Sequence, residues 1–103
     1  MSTRLKALVT GGATGIGRSA VLALARAGYD VALVYGSSAK AAEAVAQEAQ
    51  ALGATTLLMQ CDVSDDAAVR GVMAQVQQTW GHLDTLVNNA GTTATWKVTD
   101  LES

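Results

Sequence analysis

The residues with the clearest chemical potential lie near the start of the chain, in Thr10-Gly11-Gly12-Ala13-Thr14-Gly15-Ile16-Gly17. A short apolar stretch precedes this run and a helical pattern follows it, the setting in which a glycine turn acquires a function. Gly11 permits a tight exit from a strand, Gly15 leaves room for a phosphate-bearing ligand to approach the backbone, and Gly17 lets the following helix lie close on the strand. The free N–H groups of the first helical turn then face the ligand, and the helix dipole favours an anion there. The chemistry implied is the binding of a dinucleotide pyrophosphate, with Gly11, Gly12, Thr14, Gly15, Ile16 and Gly17 as the expected contacts. A rival reading of nearly the same residues is a P-loop running from Gly12 to Ser19, with Asp62 as a strand-end magnesium ligand. That motif needs lysine where this chain has Arg18, and a planar guanidinium is not equivalent to a compact ammonium.

Elements that could position such a turn are legible along the whole chain. Short apolar runs at 5–10, 31–35, 56–61 and 84–88 read as strands, and helical patterns fall between them. A βα rhythm of roughly 25 residues predicts a parallel sheet in an α/β fold. In the third helix Val69, Val72, Met73, Val76 and Trp80 make one apolar stripe. Ser64 is the expected N-cap there, with Asp65 and Asp66 placing negative charge on the positive end. In the second, Ala42, Val45, Ala46, Ala49 and Leu52 line one face. The first is expected over about 15–27, with Ile16, Ala20, Val21 and Leu24 packing inward. Gly28, Gly53 and Gly81 follow the three helices, where glycine takes the left-handed conformation that ends them.

Composition narrows the class. Hydrophobic residues form 50% of the chain and charged ones 16%, enough for one packed domain, but alanine dominates and phenylalanine is absent. The apolar area buried per residue is therefore modest. A net charge of −2 without a basic run argues against a nucleic-acid partner. No apolar run approaches a membrane span, so no membrane association is expected. Cys61 is the single cysteine and cannot form an internal disulfide; a reducing, cytoplasmic setting suits the chain. Cys61 itself reads as a small buried residue. His82, in a turn without partner ligands, offers no metal site.

Three motifs in order resemble the short-chain dehydrogenase/reductase family over the whole chain, in the manner of its 3-oxoacyl carrier-protein reductases. These are the glycine turn with spacing Thr-Gly-x-x-x-Gly-x-Gly, Cys61-Asp62-Val63 after the third strand, and Asn88-Asn89-Ala90-Gly91 ending the fourth. The resemblance implies a Rossmann-type doubly wound parallel sheet with strand order 3-2-1-4, truncated here after the fourth strand. Residues 1–103 are then the N-terminal, dinucleotide-binding part of a single Rossmann domain. It also implies that Asp62 and Val63 meet the adenine, that Asn89 and Gly91 lie beside the cofactor, and that hydride transfer links a carbonyl and an alcohol in a small-molecule substrate.

The choice of dinucleotide turns on the end of the second strand, where a carboxylate would bind the ribose hydroxyls and repel a 2′-phosphate. The stretch from Val34 to Lys40 holds no Asp or Glu. Ser37 and Ser38 can donate to a phosphate and Lys40 can supply charge, which favours NADP(H) over NAD(H). Thr14, where many NADP-using relatives carry a basic residue, departs from the pattern.

The family's proton chemistry uses a tyrosine with lysine four residues later. Here Tyr29 is followed at that spacing by Leu33 and Tyr35 by Ala39, so no catalytic residue is assigned. Trp96 and Lys97 read as exposed loop residues. A truncated sheet would leave the fourth strand as an open edge, with the third helix covering one sheet face nearly alone. Family members act as symmetric oligomers, so a homo-oligomer is expected of the parent enzyme. A second class of reading remains: a non-catalytic nucleotide-binding or assembly module.

Overall fold

A computed structural model of the chain describes residues 4–13, 15–62 and 64–89. Four strands, β1 (Leu5–Thr10), β2 (Tyr29–Tyr35), β3 (Thr56–Gln60) and β4 (Thr85–Asn88), alternate with α1 (Gly15–Arg26), α2 (Ala39–Ala51) and α3 (Asp66–Trp80). The strands form one sheet in the order β3-β2-β1-β4, with every pairing parallel. This is the expected Rossmann-like α/β arrangement. β2 begins two residues earlier than its apolar run, at Tyr29 and Asp30, because a buried charge cluster extends the strand.

Alternation along each strand divides the core in two. Leu8, Ala32, Val34 and Met59 face α3, where Val69, Val72, Met73 and Val76 meet them and half-buried Trp80 closes the end. Val9, Val31 and Leu33 face the opposite way, onto Val21, Leu22 and Ala25 of α1 and Ala42, Val45 and Ala49 of α2. Among the described residues α3 alone covers the first face, as expected. The central strands are almost fully buried, whereas β3 and β4 at the edges are half-buried. Each Val or Leu enclosed this way stabilises the fold by about 1.5–3 kcal/mol.

Three local expectations are corrected. Ile16 is 77% exposed, because it sits in the opening turn of α1 before the helix reaches the sheet; Leu22 and Ala25 pack in the helix's buried stripe instead. Leu52 is 40% exposed, since it caps α2 one residue beyond the helix and turns off its apolar face. Asp65, not Ser64, caps α3: its Oδ1 accepts from the N–H groups of Ala67 at 3.0 Å and Ala68 at 3.3 Å. Ser64 is engaged elsewhere, with its hydroxyl donating to Asp62 Oδ1 at 2.6 Å. The three terminating glycines do take positive φ: 96° at Gly28, 98° at Gly53 and 79° at Gly81.

The amino ends of the strands are closed by charge. Asp30, 4% exposed, accepts from Arg4 Nε at 2.8 Å, Lys6 Nζ at 2.5 Å and the Thr55 N–H at 2.9 Å. Lys6 also lies over the Trp80 ring, 5.4 Å from its centroid, and its N–H donates to Asp84 Oδ2 at 2.7 Å. Burial pushes the Asp30 carboxyl up, but the Lys6, Thr55 and Arg4 hydrogen bonds outweigh it and hold the group below its usual range.

Folding thus weakens proton binding at Asp30, so its stabilisation is complete above the usual aspartate pKa of about 4 and fades as pH falls through the lower folded value. Asp30→Asn should cost about 2 kcal/mol at neutral pH, below the roughly 3–5 kcal/mol of a fully buried pair, because both cations keep some solvent access. In urea unfolding the difference from the unsubstituted chain should shrink as the pH drops below about 4; a gap that widens on acidification would contradict the assignment.

Candidate dinucleotide site

The carboxyl ends of β1, β2 and β3 open into a crevice of about 760 Å³, walled by Gly11, Tyr35, Gly36, Ser37 and the run Gln60-Cys61-Asp62. Open α/β sheets place ligands outside the carboxyl ends of their strands. The glycine turn forms its corner. Gly11 leaves β1 with φ 64°, and the N–H groups of Gly11 and Gly12 both donate to the Val34 carbonyl, at 2.9 and 3.3 Å. Those two amides are tied to β2. The donors left for an anion are those of the first turn of α1, which have no intrahelical partner. No acidic residue sits in that turn to neutralise them.

The glycines serve separate ends. A Cβ on Gly17 would run into the Gly11 carbonyl, 2.7 Å from its carbon, and would stand 2.9 Å from Asn89 Nδ2; this is the close approach of helix to strand. Gly12 lies behind the corner, where a Cβ would meet Leu33 at 3.0 Å and Val21 at 3.2 Å, so it packs against the core. At Gly15 nothing lies within 4 Å, and its φ of 57° disfavours any side chain. Ile16 projects outward beside it. Thr14, Val63 and Gly91 lie outside the described residues, as do Trp96 and Lys97.

β4 is joined to this corner through Thr10, a fully buried threonine that composition and periodicity did not single out. Its hydroxyl donates to Asn88 Oδ1 at 2.9 Å and accepts from the Asn89 N–H at 2.9 Å. Asn89 Nδ2 donates in turn to the Gly11 carbonyl at 3.3 Å. Asn89 thereby braces the glycine turn.

The far wall is polar but not reactive. Ser64 donates to Asp62 through both its hydroxyl and its N–H, which holds the Asp62 carboxyl below the usual range. Cys61 is a buried wall residue; burial, with the charges of Asp62 and Asp65, pushes its thiol up. Ser37 lines the crevice and Ser38 follows at the N-cap of α2, where its side chain makes no capping bond. Arg18 turns away to α2 and pairs with Glu48 at 2.6 Å, so the residue a P-loop would need at its phosphates is directed elsewhere. Tyr29 lies at the opposite edge of the sheet, where its hydroxyl accepts from Thr85 Oγ1 at 3.4 Å. Among the described residues no cluster of His, Cys, Asp or Glu could hold a metal ion, and no helix is long and apolar enough to cross a membrane.

Comparison with known proteins agrees with this geometry. The family model for short chain dehydrogenases matches residues 5–103. The 3-oxoacyl-(acyl-carrier-protein) reductase FabG of Staphylococcus aureus is 45% identical over 93 residues, which are 90% of this chain and 38% of that protein. The short-chain dehydrogenase/reductase homolog YusS of Bacillus subtilis is 40% identical over 97 residues, covering 94% of this chain and 89% of YusS. Among solved structures, a short-chain dehydrogenase/reductase from Serratia marcescens superposes with a TM-score of 0.79 at 41% identity, over 82% of this chain and 35% of that one. The chain therefore spans little more than a third of FabG and of the Serratia enzyme, and most of YusS. A glycine corner braced by Asn89, a 3-2-1-4 parallel sheet and a family match over nearly the whole sequence make this chain a member of the short-chain dehydrogenase/reductase family.

Proposed function

We propose that residues 1–103 are the N-terminal cofactor-binding portion of an NADP(H)-dependent oxidoreductase that interconverts carbonyl and alcohol groups in a small-molecule substrate. The observation that carries this reading is the crevice itself. Gly11 of the glycine turn lines it; later in the same turn Gly15 has open space where a side chain would stand, at the start of a helix with no acid in its first turn; and the β2 end of the crevice presents Ser37 with no carboxylate from Val34 to Lys40. A dinucleotide fits such a donor set: pyrophosphate against the start of α1, the adenosine ribose toward Ser37 and Ser38, and the adenine toward Asp62; Val63, Asn89 and Gly91 are the further contacts that the family implies.

The bound nicotinamide would supply or accept the hydride; what these residues contribute is binding and orientation. The proton required by carbonyl reduction has no donor here, because neither tyrosine is followed by lysine at four residues. The reductase names of FabG and of the hydroxynaphthalene reductase arp2 of Aspergillus fumigatus, 41% identical over 85 residues, support carbonyl chemistry for the parent. A cytoplasmic setting and a homo-oligomeric parent belong to the same reading.

The second reading, a nucleotide-binding module without catalysis of its own, is favoured by one observation: YusS is matched over 89% of its length. Intact mass and turnover separate the two. An intact polypeptide mass well above that of 103 residues, with NADPH-dependent carbonyl reduction, supports the enzyme; a matching mass with binding but no turnover supports the module.

For the cofactor, fluorescence titration should give a lower Kd for NADPH than for NADH, and equal or reversed affinities would refute the NADP(H) assignment. At Gly15 the positive φ means that substitution strains the backbone, so the smallest side chain is the right probe. Gly15→Ala should lower stability by about 1 kcal/mol and weaken NADPH binding about tenfold or more, equivalent to about 1.4 kcal/mol. Unchanged binding would remove the pyrophosphate from this corner.

A further inference from the structure

The loop from Gly36 to Ser38, between β2 and α2, carries the two serines on which cofactor choice rests, yet its own residues hold it weakly. Nothing lies within 4 Å of where a Gly36 side chain would stand, so packing does not fix the first residue. Ser38 begins α2 with its carbonyl accepting from the Ala42 N–H at 2.9 Å, but its side chain makes no bond to the helix.

What holds the loop comes from the neighbouring strand. Gln60, the last residue of β3, donates its Nε2 to the Gly36 carbonyl at 2.9 Å. The base of this strut is firm: Gln60 pairs with Tyr35 in the parallel register, and the next N–H, that of Cys61, donates to the Tyr35 carbonyl at 3.0 Å. One residue further, Asp62 is fixed by Ser64. Gly36, Ser37 and Gln60 share the wall of the crevice. Between the strand pairing at Tyr35 and the start of α2 at Ser38, this side-chain hydrogen bond is the tie at Gly36, immediately before Ser37.

Resting on the NADP(H) reading above, we infer that Gln60 is a positioning residue for cofactor selectivity. It holds the Ser37–Ser38 loop at the distance from β3 at which the two hydroxyls meet a ribose 2′-phosphate. A ligand whose 2′-phosphate meets the loop feels its loss most; one that offers the loop only ribose hydroxyls feels it less. Gln60 need not touch the cofactor to act in this way.

The test compares the intact protein with Gln60→Met, which keeps the side-chain length and removes the donor. Gln60→Thr, too short to reach Gly36 and well suited to a strand, serves as a second variant should the first fold poorly. Thr56→Val is the control, because it removes the Gln50-to-Thr56 bond (2.7 Å) at the other end of β3. NADPH and NADH affinities are read by cofactor fluorescence, and backbone exchange at residues 36–38 by hydrogen–deuterium exchange.

Both Gln60 variants should weaken NADPH about three- to tenfold, the range that one neutral hydrogen bond supports. NADH affinity should fall less, so that the NADPH-to-NADH preference narrows, amide exchange at 36–38 should quicken, and the control should change neither ratio nor exchange. A preserved NADPH-to-NADH ratio, or equal weakening of both cofactors, overturns the inference alone. A preference of the unsubstituted protein for NADH overturns the cofactor reading, and this inference with it.

Discussion

The buried hydroxyl of Thr10 stands where three pieces of chain must meet: the end of β1, the glycine turn and the end of β4. The β1–β4 register sets Thr10 beside Asn88, and its single hydroxyl both donates to Asn88 and accepts from Asn89. Asn89 then reaches the Gly11 carbonyl, and the same carbonyl is what Gly17 lies against. Strand end, turn and helix start are stacked through one carbonyl and one hydroxyl. A hydroxyl without partners in such a place would cost about 1–3 kcal/mol, so the register of β4 and the placement of α1 are specified together. The crevice has its shape because this corner cannot spread.

The two edges of the sheet use polar groups in opposite ways. At the amino ends, Asp30 meets two cations and a backbone N–H, and Asp84 exchanges hydrogen bonds with Lys6 through its side chain and its N–H. Charge there is compensated within the protein. At the carboxyl ends, helix N–H groups, the Ser37 and Ser38 hydroxyls and a constrained Asp62 face open space. A closed edge fixes the strands and an open one leaves donors available to a ligand, which is the division of labour that this class of sheet supports.

Much of this was legible in the sequence, for local reasons. Strand and helix positions followed from apolar periodicity, and the ends of the helices from glycines whose positive φ only that residue accepts easily. The strand order came through resemblance. Within the glycine turn the roles of Gly11 and Gly17 were readable because a glycine's effect is confined to its neighbours. What escaped depends on distant pairs. The Asp30 cluster joins residues 24 to 26 positions apart, and the Thr10 brace spans 78 and 79 positions; neither leaves a mark in periodicity. Ile16 and Leu52 misled because an apolar residue at a helix end has the right spacing but no surface to meet. Ser64 and Asp65 are both good caps, and only the bond from Ser64 to Asp62 decides between them.

The carboxyl edge of the sheet, cornered by the glycine turn, is the proposed dinucleotide site. The direct measurement is a map of backbone amide shifts in the isotope-labelled protein as NADPH is added. Saturable shifts are expected at Gly11, Gly15 to Gly17, Gly36 to Ser38 and Gln60 to Asp62, with Lys6, Asp30, Thr55 and His82 at the other edge unmoved. Shifts centred on that other edge, or none at saturating NADPH, would contradict it.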